Sequence, residues 1–154
     1  MEYQVEIRDI TSVDVISIRF NGKYSDMGKH IGSLYKAAKN NNSGAPFALY
    51  HDDDYKEEAD IELCVPTKKL IAVTDGNITS KTLPAIKATC VTHKGGYDRL
   101  NLAYKALLDY AKSENLILQT PSREVYTKGP GVIFRGNENN YITEIITPFQ
   151  EQED

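Results

Sequence analysis

Two stretches decide the fold: residues 15–38, VISIRFNGKYSDMGKHIGSLYKAA, and residues 88–111, ATCVTHKGGYDRLNLAYKALLDYA. Each begins with an apolar run typical of a strand, passes through a Gly-x-Tyr motif and continues into an amphipathic helix. Apolar residues recur at helical spacing in both stretches, so each helix has one face for a core. Ser25 and Asp98 are predicted N-caps of these helices. The chain therefore contains an internal repeat.

The similarity continues after each helix. A proline and a short strand bearing a tyrosine come first, and a strand with a glutamate and a proline four residues apart closes each half. Each half is therefore predicted to run strand, helix, strand, strand. The matching segments are PFALY (46–50) with PSREVY (121–126), and ADIELCVP (59–66) with YITEIITP (141–148).

This order of elements predicts an α+β fold. We expect one domain over residues 1–154, built from two β-α-β-β units at about 3–80 and 83–149 and related by a pseudo-twofold axis. The helices are expected to cover one face of antiparallel sheets. The other face then forms a concave groove at the junction, which is a common position for a small-molecule site.

A glutamate in the last strand is the candidate functional residue of that groove. Strand alternation puts Glu144 on the groove face between Ile142 and Ile146, and its counterpart Glu62 in more polar surroundings. A carboxylate among isoleucines loses hydration unless a cationic ligand or a tyrosine hydroxyl compensates. A solvated Glu144, or one paired with a Lys or Arg, is the alternative. The expected helix-facing positions are Ile61, Leu63, Val65, Thr143, Ile145 and Thr147.

Composition narrows the classes of function. The formal net charge of −4 argues against general nucleic-acid binding, which needs a basic face, and is compatible with cationic ligands. Cys64 and Cys90 lack metal-site spacing and lie in apolar runs, so we expect buried thiols. No cofactor motif or metal site is predicted. The chain begins without an apolar leader and has no run of membrane-spanning length, so we expect a cytoplasmic protein without a membrane partner.

Three segments together resemble the GyrI-like, or AraC-type effector-binding, domain family, over essentially the whole chain. They are HKGGYDRLNLAYKALLDYA (93–111), REVYTKGP (123–130) and YITEIITPF (141–149). The resemblance implies the same pair of β-α-β-β units and a central groove for lipophilic, often cationic or aromatic, small molecules. In drug-sensing transcription activators of this family, a strand glutamate meets the ligand's positive charge and tyrosines stack on its rings.

The resemblance implies a set of site residues. It assigns the glutamate to Glu144 and the stacking tyrosines to Tyr50 and Tyr126. Tyr24 and Tyr97, at the starts of the helices, are further candidates, for which a packing role is the alternative. The remaining expected ligand-binding residues are Glu62, Ile142, Ile146 and His93, the last with a structural role as its alternative.

Three functions are compatible with this resemblance. The first is a stand-alone protein that binds lipophilic, cationic or aromatic small molecules. The second is a hydrolase that opens the strained cyclopropane ring of DNA-alkylating natural products, with Glu144 and Tyr126 as the implied catalytic pair. The third is an interaction protein that contacts DNA gyrase or a separate regulator through the acidic loop containing Asp52, Asp53 and Asp54. Direct DNA binding is not expected, because the chain has no room for a helix-turn-helix domain.

Overall fold

The computed structural model describes residues 3–54, 56–128 and 138–152. Its strands are β1 (Glu6–Ile10), β2 (Val13–Gly22), β3 (Phe47–Tyr50), β4 (Ala59–Thr67), β5 (Thr79–Leu83), β6 (Ile86–Lys94), β7 (Leu116–Leu118), β8 (Ser122–Lys128) and β9 (Ile142–Glu151). Its helices are α1 (Met27–Ala38) and α2 (Leu100–Ser113), with 3-10 turns at Tyr24–Asp26, Tyr97–Arg99 and Glu138–Asn140. In these ranges, no helix has both the length and the hydropathy needed to cross a membrane.

The strands form one antiparallel sheet whose order reflects the repeat. The order is β1-β6-β9-β8-β3-β4-β2-β5, and β7 pairs with the end of β9. Outward from the junction of β8 and β3, each strand of one half has a counterpart in the other: β9 with β4, β6 with β2, and β1 with β5. The α+β class and the two β-α-β-β units are therefore confirmed, with β7 as an addition to the second half.

The two helices pack on one face of this sheet. Leu34 of α1 is buried against β2 and β4, and Leu107 of α2 is buried against β6 and β9. The predicted alternation of faces along β4 and β9 holds. The aliphatic side chains of β4 lie in the cluster under α1, and Ile145 of β9 lies in the cluster under α2. The helix-side strand residues are Ile61, Leu63, Val65, Val91 and Ile145.

The second face is buried although neither helix packs on it. Phe47 and Leu49 are each 4% exposed, and Ile146 is equally inaccessible. Two clusters, one from each half, occupy this face, and Val125 of β8 contacts both. The sheet is curled into a half-barrel. Cys64 and Cys90 are free thiols buried here, as the sequence predicts.

Each α-helix is preceded by a 3-10 turn, which corrects the predicted N-caps. Ser25 and Asp98 lie inside the turns Tyr24–Asp26 and Tyr97–Arg99 and not at an α-helix boundary. Within the described ranges, no side-chain hydrogen bond caps α1 or α2. The tyrosine that opens each turn packs its ring against Tyr126 of β8.

The packing of α2 generates a stability prediction. Truncation of the fully buried Leu107 to alanine should cost about 2–5 kcal/mol of unfolding free energy, because it removes apolar contacts and leaves a cavity. The neighbouring Leu108 is 52% exposed, so Leu108→Ala is the matched control and should change stability by less than about 1 kcal/mol. Chemical denaturation measures both changes. Equal losses would show that α2 does not use this face for the core.

Candidate functional site

A buried glutamate lies at the centre of the helix-side face. Glu124, in the middle of β8, is 5% exposed. One carboxylate oxygen accepts a hydrogen bond from the Tyr126 hydroxyl at 3.0 Å, and the other accepts one from the Tyr104 hydroxyl of α2. Burial raises the pKa of Glu124, and the tyrosine hydrogen bonds offset this only in part. The carboxyl group is therefore held in an environment that disfavours its negative charge.

A cluster of aromatic rings borders this acid. The Tyr24 and Tyr97 rings meet edge to face with centroids 5.0 Å apart, and Tyr97 also contacts Tyr126 at 5.8 Å. Tyr141 packs against Tyr97 at 5.3 Å, and the Tyr50 hydroxyl lies 3.4 Å from the Tyr126 hydroxyl. We call this group with Tyr104 and Glu124 the tyrosine cage. The four candidate tyrosines from the sequence, Tyr24, Tyr50, Tyr97 and Tyr126, are brought together in it.

The Gly-x-Tyr motifs explain how two of these tyrosines reach the cage. Gly95 has a φ of 122°, which other residues rarely adopt, and its amide donates to the Tyr141 carbonyl at 2.9 Å. At Gly22, a Cβ atom would lie 2.7 Å from a carboxylate oxygen of Asp26. The positive φ of Gly95 permits the sharp passage from β6 into its 3-10 turn, whereas at Gly22 the glycine leaves room for the Asp26 carboxylate. Since one turn comes from each half, the cage forms only where the halves meet.

The cage offers hydrogen-bond donors and aromatic faces around a single acid. Burial raises the pKa values of its phenols, so these hydroxyl groups stay protonated at neutral pH. The tyrosine rings of such a site can stack on an apolar ring system, and its carboxylate can pair with one positive charge. The phenols with raised pKa are Tyr24, Tyr50, Tyr97, Tyr104 and Tyr126.

Glu144 lies away from this cage. Its register partner on β8 is Val125, so both side chains point to the second face, whereas Tyr126 points to the helix side. The Glu144 carboxylate forms a salt bridge with Arg8 of β1 at 2.8 Å. The structure therefore does not bring Glu144 and Tyr126 together, because the sheet separates their side chains.

Glu62 is the more deeply buried member of the repeated pair, which reverses the expected order of hydration. Its side chain is 4% exposed, against 28% for Glu144. The Glu62 carboxylate pairs with Lys81 and accepts a hydrogen bond from Ser17 at 2.7 Å, and His51 lies 3.0 Å away. Burial acts to raise the pKa of Glu62, but these partners outweigh it and the pKa is lowered. Glu62 is a satisfied carboxylate on the second face.

The other expected ligand-binding residues are not part of the cage. His93 is buried, with its Nε2 atom 2.9 Å from the Gly96 carbonyl and its Nδ1 atom 2.8 Å from the Tyr3 hydroxyl. The carbonyl can only accept, so Nε2 carries the proton and Nδ1 accepts from Tyr3. Both ring nitrogens are occupied, which fits the structural alternative. Ile142 and Ile146 flank Glu144 on the second face.

The residue that the sequence reasoning missed is Glu124. The REVY segment drew attention for its tyrosine, yet Glu124 stands two positions before Tyr126 and so shares its face. Strand alternation within this segment was a sufficient signal for the pair. Tyr104 lies on the apolar face of α2, and helical spacing alone does not indicate that its hydroxyl reaches Glu124.

Comparison with known proteins identifies the family of this chain. The family model of the GyrI-like small molecule binding domain matches residues 3–150. The EcmrR C-terminal domain is 31% identical, with a TM-score of 0.84 over 99% of this chain and 100% of that chain. EcmrR in a complex with DNA is also 31% identical, with a TM-score of 0.83 over 97% of this chain. The present chain spans 58% of the length of EcmrR in that complex.

More distant structures share the fold alone. SAV2435 bound to tetraphenylphosphonium is 16% identical, with a TM-score of 0.54 over 97% of this chain and 94% of that chain. A hydrolase from Listeria innocua is 11% identical, with a TM-score of 0.78 over 96% and 92% of the two chains. No curated protein matches the chain at a significant level. Since the family model covers nearly all 154 residues, the chain belongs to the GyrI-like small-molecule-binding domain family.

Proposed function

We propose that the protein binds lipophilic cations in the tyrosine cage, with Glu124 as the counter-charge. The observation that carries this proposal is a buried carboxylate whose hydrogen-bond partners are tyrosine hydroxyls. Within the described residues, no lysine, arginine or histidine forms an ion pair with it. A buried carboxylate without a cation is costly, so a ligand that brings a positive charge gains from neutralising it.

The aromatic rings supply the rest of the recognition. A cation over a tyrosine face gains about 0.5–2 kcal/mol, and more as water is excluded. The rings of Tyr97 and Tyr126 pack against each other beside Glu124, while Tyr50 and Tyr104 offer hydroxyl donors. Shape and charge therefore favour an aromatic or otherwise bulky apolar cation over a small hydrated one.

Ligand entry requires a ring to move. The ring centroids of the cage lie 5.0–6.3 Å apart, which is contact distance for aromatic pairs and leaves no slot for another ring. Tyr24 is the outermost member at 39% exposure and lies on a short 3-10 turn. We expect Tyr24 to swing outward when a ligand enters and then to close over it.

The comparisons support this choice of ligand class. SAV2435, which shares the fold, has a structure bound to tetraphenylphosphonium, a lipophilic cation. EcmrR, whose C-terminal domain is 31% identical, has a structure in complex with DNA. A role of the present chain as an effector sensor that acts through a DNA-binding partner is part of the same proposal.

Replacement of the acid tests the site directly. Glu124→Gln keeps the size and one acceptor oxygen, replaces the other oxygen with an amide donor and removes the charge, so tetraphenylphosphonium affinity should fall at least about tenfold. Neutral triphenylphosphine oxide should lose much less, since it carries no charge to neutralise. Isothermal titration calorimetry measures both affinities.

Glu144→Gln is the matched control, because Glu144 lies in the neighbouring strand but on the other face. This variant should bind both ligands as the wild type does. Equal losses for charged and neutral ligands in Glu124→Gln, or a comparable loss in Glu144→Gln, would contradict the proposal.

The raised pKa of Glu124 predicts pH dependence. Cation affinity should fall as the pH decreases through this pKa, and at a higher pH than an exposed carboxylate would produce. The unliganded protein should lose stability as pH rises from the unfolded-state pKa to the folded-state pKa, because the folded protein holds this proton more tightly. Calorimetric titrations and melting curves against pH check both trends. Wild-type profiles that coincide with those of Glu124→Gln would rule out this assignment.

Hydrolysis at the same acid is a second candidate function. Glu124 and Tyr126 stand in direct hydrogen-bond contact, as a proton-transferring pair requires. Glu124 would take a proton from water as the water oxygen bonds to a strained ring carbon and one C–C bond of the ring breaks. Tyr126 would donate its proton to the carbon released, and the proton on Glu124 would then return to Tyr126 along their hydrogen bond. Incubation with a cyclopropane-bearing DNA alkylator, followed by mass spectrometry, decides this. More than one equivalent of ring-opened product, lost in Glu124→Gln and Tyr126→Phe, favours the enzyme; its absence excludes turnover of that substrate.

A further inference from the structure

An unpaired arginine lies back to back with the tyrosine cage. Arg123 precedes Glu124 on β8 and points to the second face, where its register partners are Leu49 and Ile146. It is 8% exposed, and its guanidinium carbon lies 4.8 Å from the centroid of the Phe47 ring. The Nε atom of Arg123 is buried and has no hydrogen-bond partner among residues 3–54, 56–128 and 138–152.

The acids nearest in the sheet are engaged elsewhere. Glu62 stands in the same cross-strand row as Arg123, two strands away, but its carboxylate is held by Lys81 and Ser17. Glu144 is paired with Arg8. No carboxylate among the described residues forms an ion pair with Arg123, so no counter-charge for the guanidinium is found among them.

The surrounding groups do not neutralise this charge. Burial lowers the pKa of Arg123. Negatively charged thiolates at Cys64 and Cys90 would raise this pKa again by stabilising the guanidinium charge. Burial also raises the pKa of both thiols, so they are uncharged at neutral pH. Stacking on Phe47 stabilises one face of the guanidinium but satisfies none of its N–H donors.

We propose that Arg123 anchors a binding site for a small oxyanion on the second face of the sheet. The planar guanidinium presents a fork of donors that matches two oxygens of one carboxylate or phosphate group. Its buried Nε–H is one such donor, on a face whose two clusters consist of apolar side chains and thiols. A bound oxyanion supplies the missing charge and the missing acceptor together. The site is distinct from the tyrosine cage, which lies across the sheet and selects the opposite charge.

Anion-dependent stability tests this site in the intact chain. The melting temperature is measured against inorganic phosphate in one arm and benzoate in the other, at constant ionic strength. A saturable rise of about 3–5 °C at several times the dissociation constant is expected for the oxyanion that fits. A larger effect of benzoate identifies an apolar carboxylate, and a larger effect of phosphate identifies a phosphate group.

Two arginine variants give the controls. Arg123→Met should abolish the saturable rise. Arg19→Met should keep it, because Arg19 lies in the same cross-strand row but is paired with Asp60 at 2.7 Å. If Arg123→Met does not fold, Arg123→Lys keeps the charge without the planar fork and should weaken binding. The Nε–H resonance of Arg123 should shift with the anion in the wild type. No saturable rise with either anion, an equal rise in the methionine variants, or an unmoved Nε–H resonance would overturn the proposal.

Discussion

The antiparallel pairing of β3 with β8 is the constraint on which the rest of the structure depends. It is the contact that joins the two repeated halves into one sheet. The register of this pairing sets Tyr50 and Tyr126 close enough for their hydroxyls to lie 3.4 Å apart. It also brings the two 3-10 turns together, so that Tyr24 and Tyr97 pack edge to face above Glu124. A slip of one residue would turn Glu124 to the opposite face and dismantle the cage.

The short strand β8 gives the sheet two chemically different faces. Glu124 and Tyr126 lie among hydroxyl groups and rings beneath the helices, whereas Arg123 and Val125 lie among aliphatic side chains and thiols. Both charged residues of this pair are buried without an ion-pair partner among the described residues. Two buried charges without ion-pair partners in the centre of a sheet lower the stability of the fold. Such a loss of stability is common at binding sites. The well-packed aliphatic layers under α1 and α2 offset that cost.

Local patterns in the sequence were sufficient for the fold but not for the site. Helical spacing and strand alternation predicted both helices, the repeat and the faces of β4 and β9, because these depend on neighbours in the chain. The hydration of Glu62 and Glu144 was misjudged because their partners come from distant strands: Lys81 lies on β5 and Arg8 on β1. Periodicity gives the face of a side chain but not the charged group that will meet it there. The cage itself needed only the spacing of Glu124 and Tyr126, combined with the register of the central pair of strands.

The two halves carry different residues where β3 and β8 meet, which breaks the pseudo-twofold symmetry at the site. Ala48 and Glu124 are register partners directly across the junction, so each occupies the place of the other under the pseudo-twofold axis. A symmetric dimer of two second halves would set Glu124 opposite its own copy, and like charges directly opposite each other destabilise a sheet. A symmetric dimer of two first halves would set alanine opposite alanine and carry no charge. A single carboxylate beside the pseudo-twofold axis therefore depends on the two halves of the chain being different at this position.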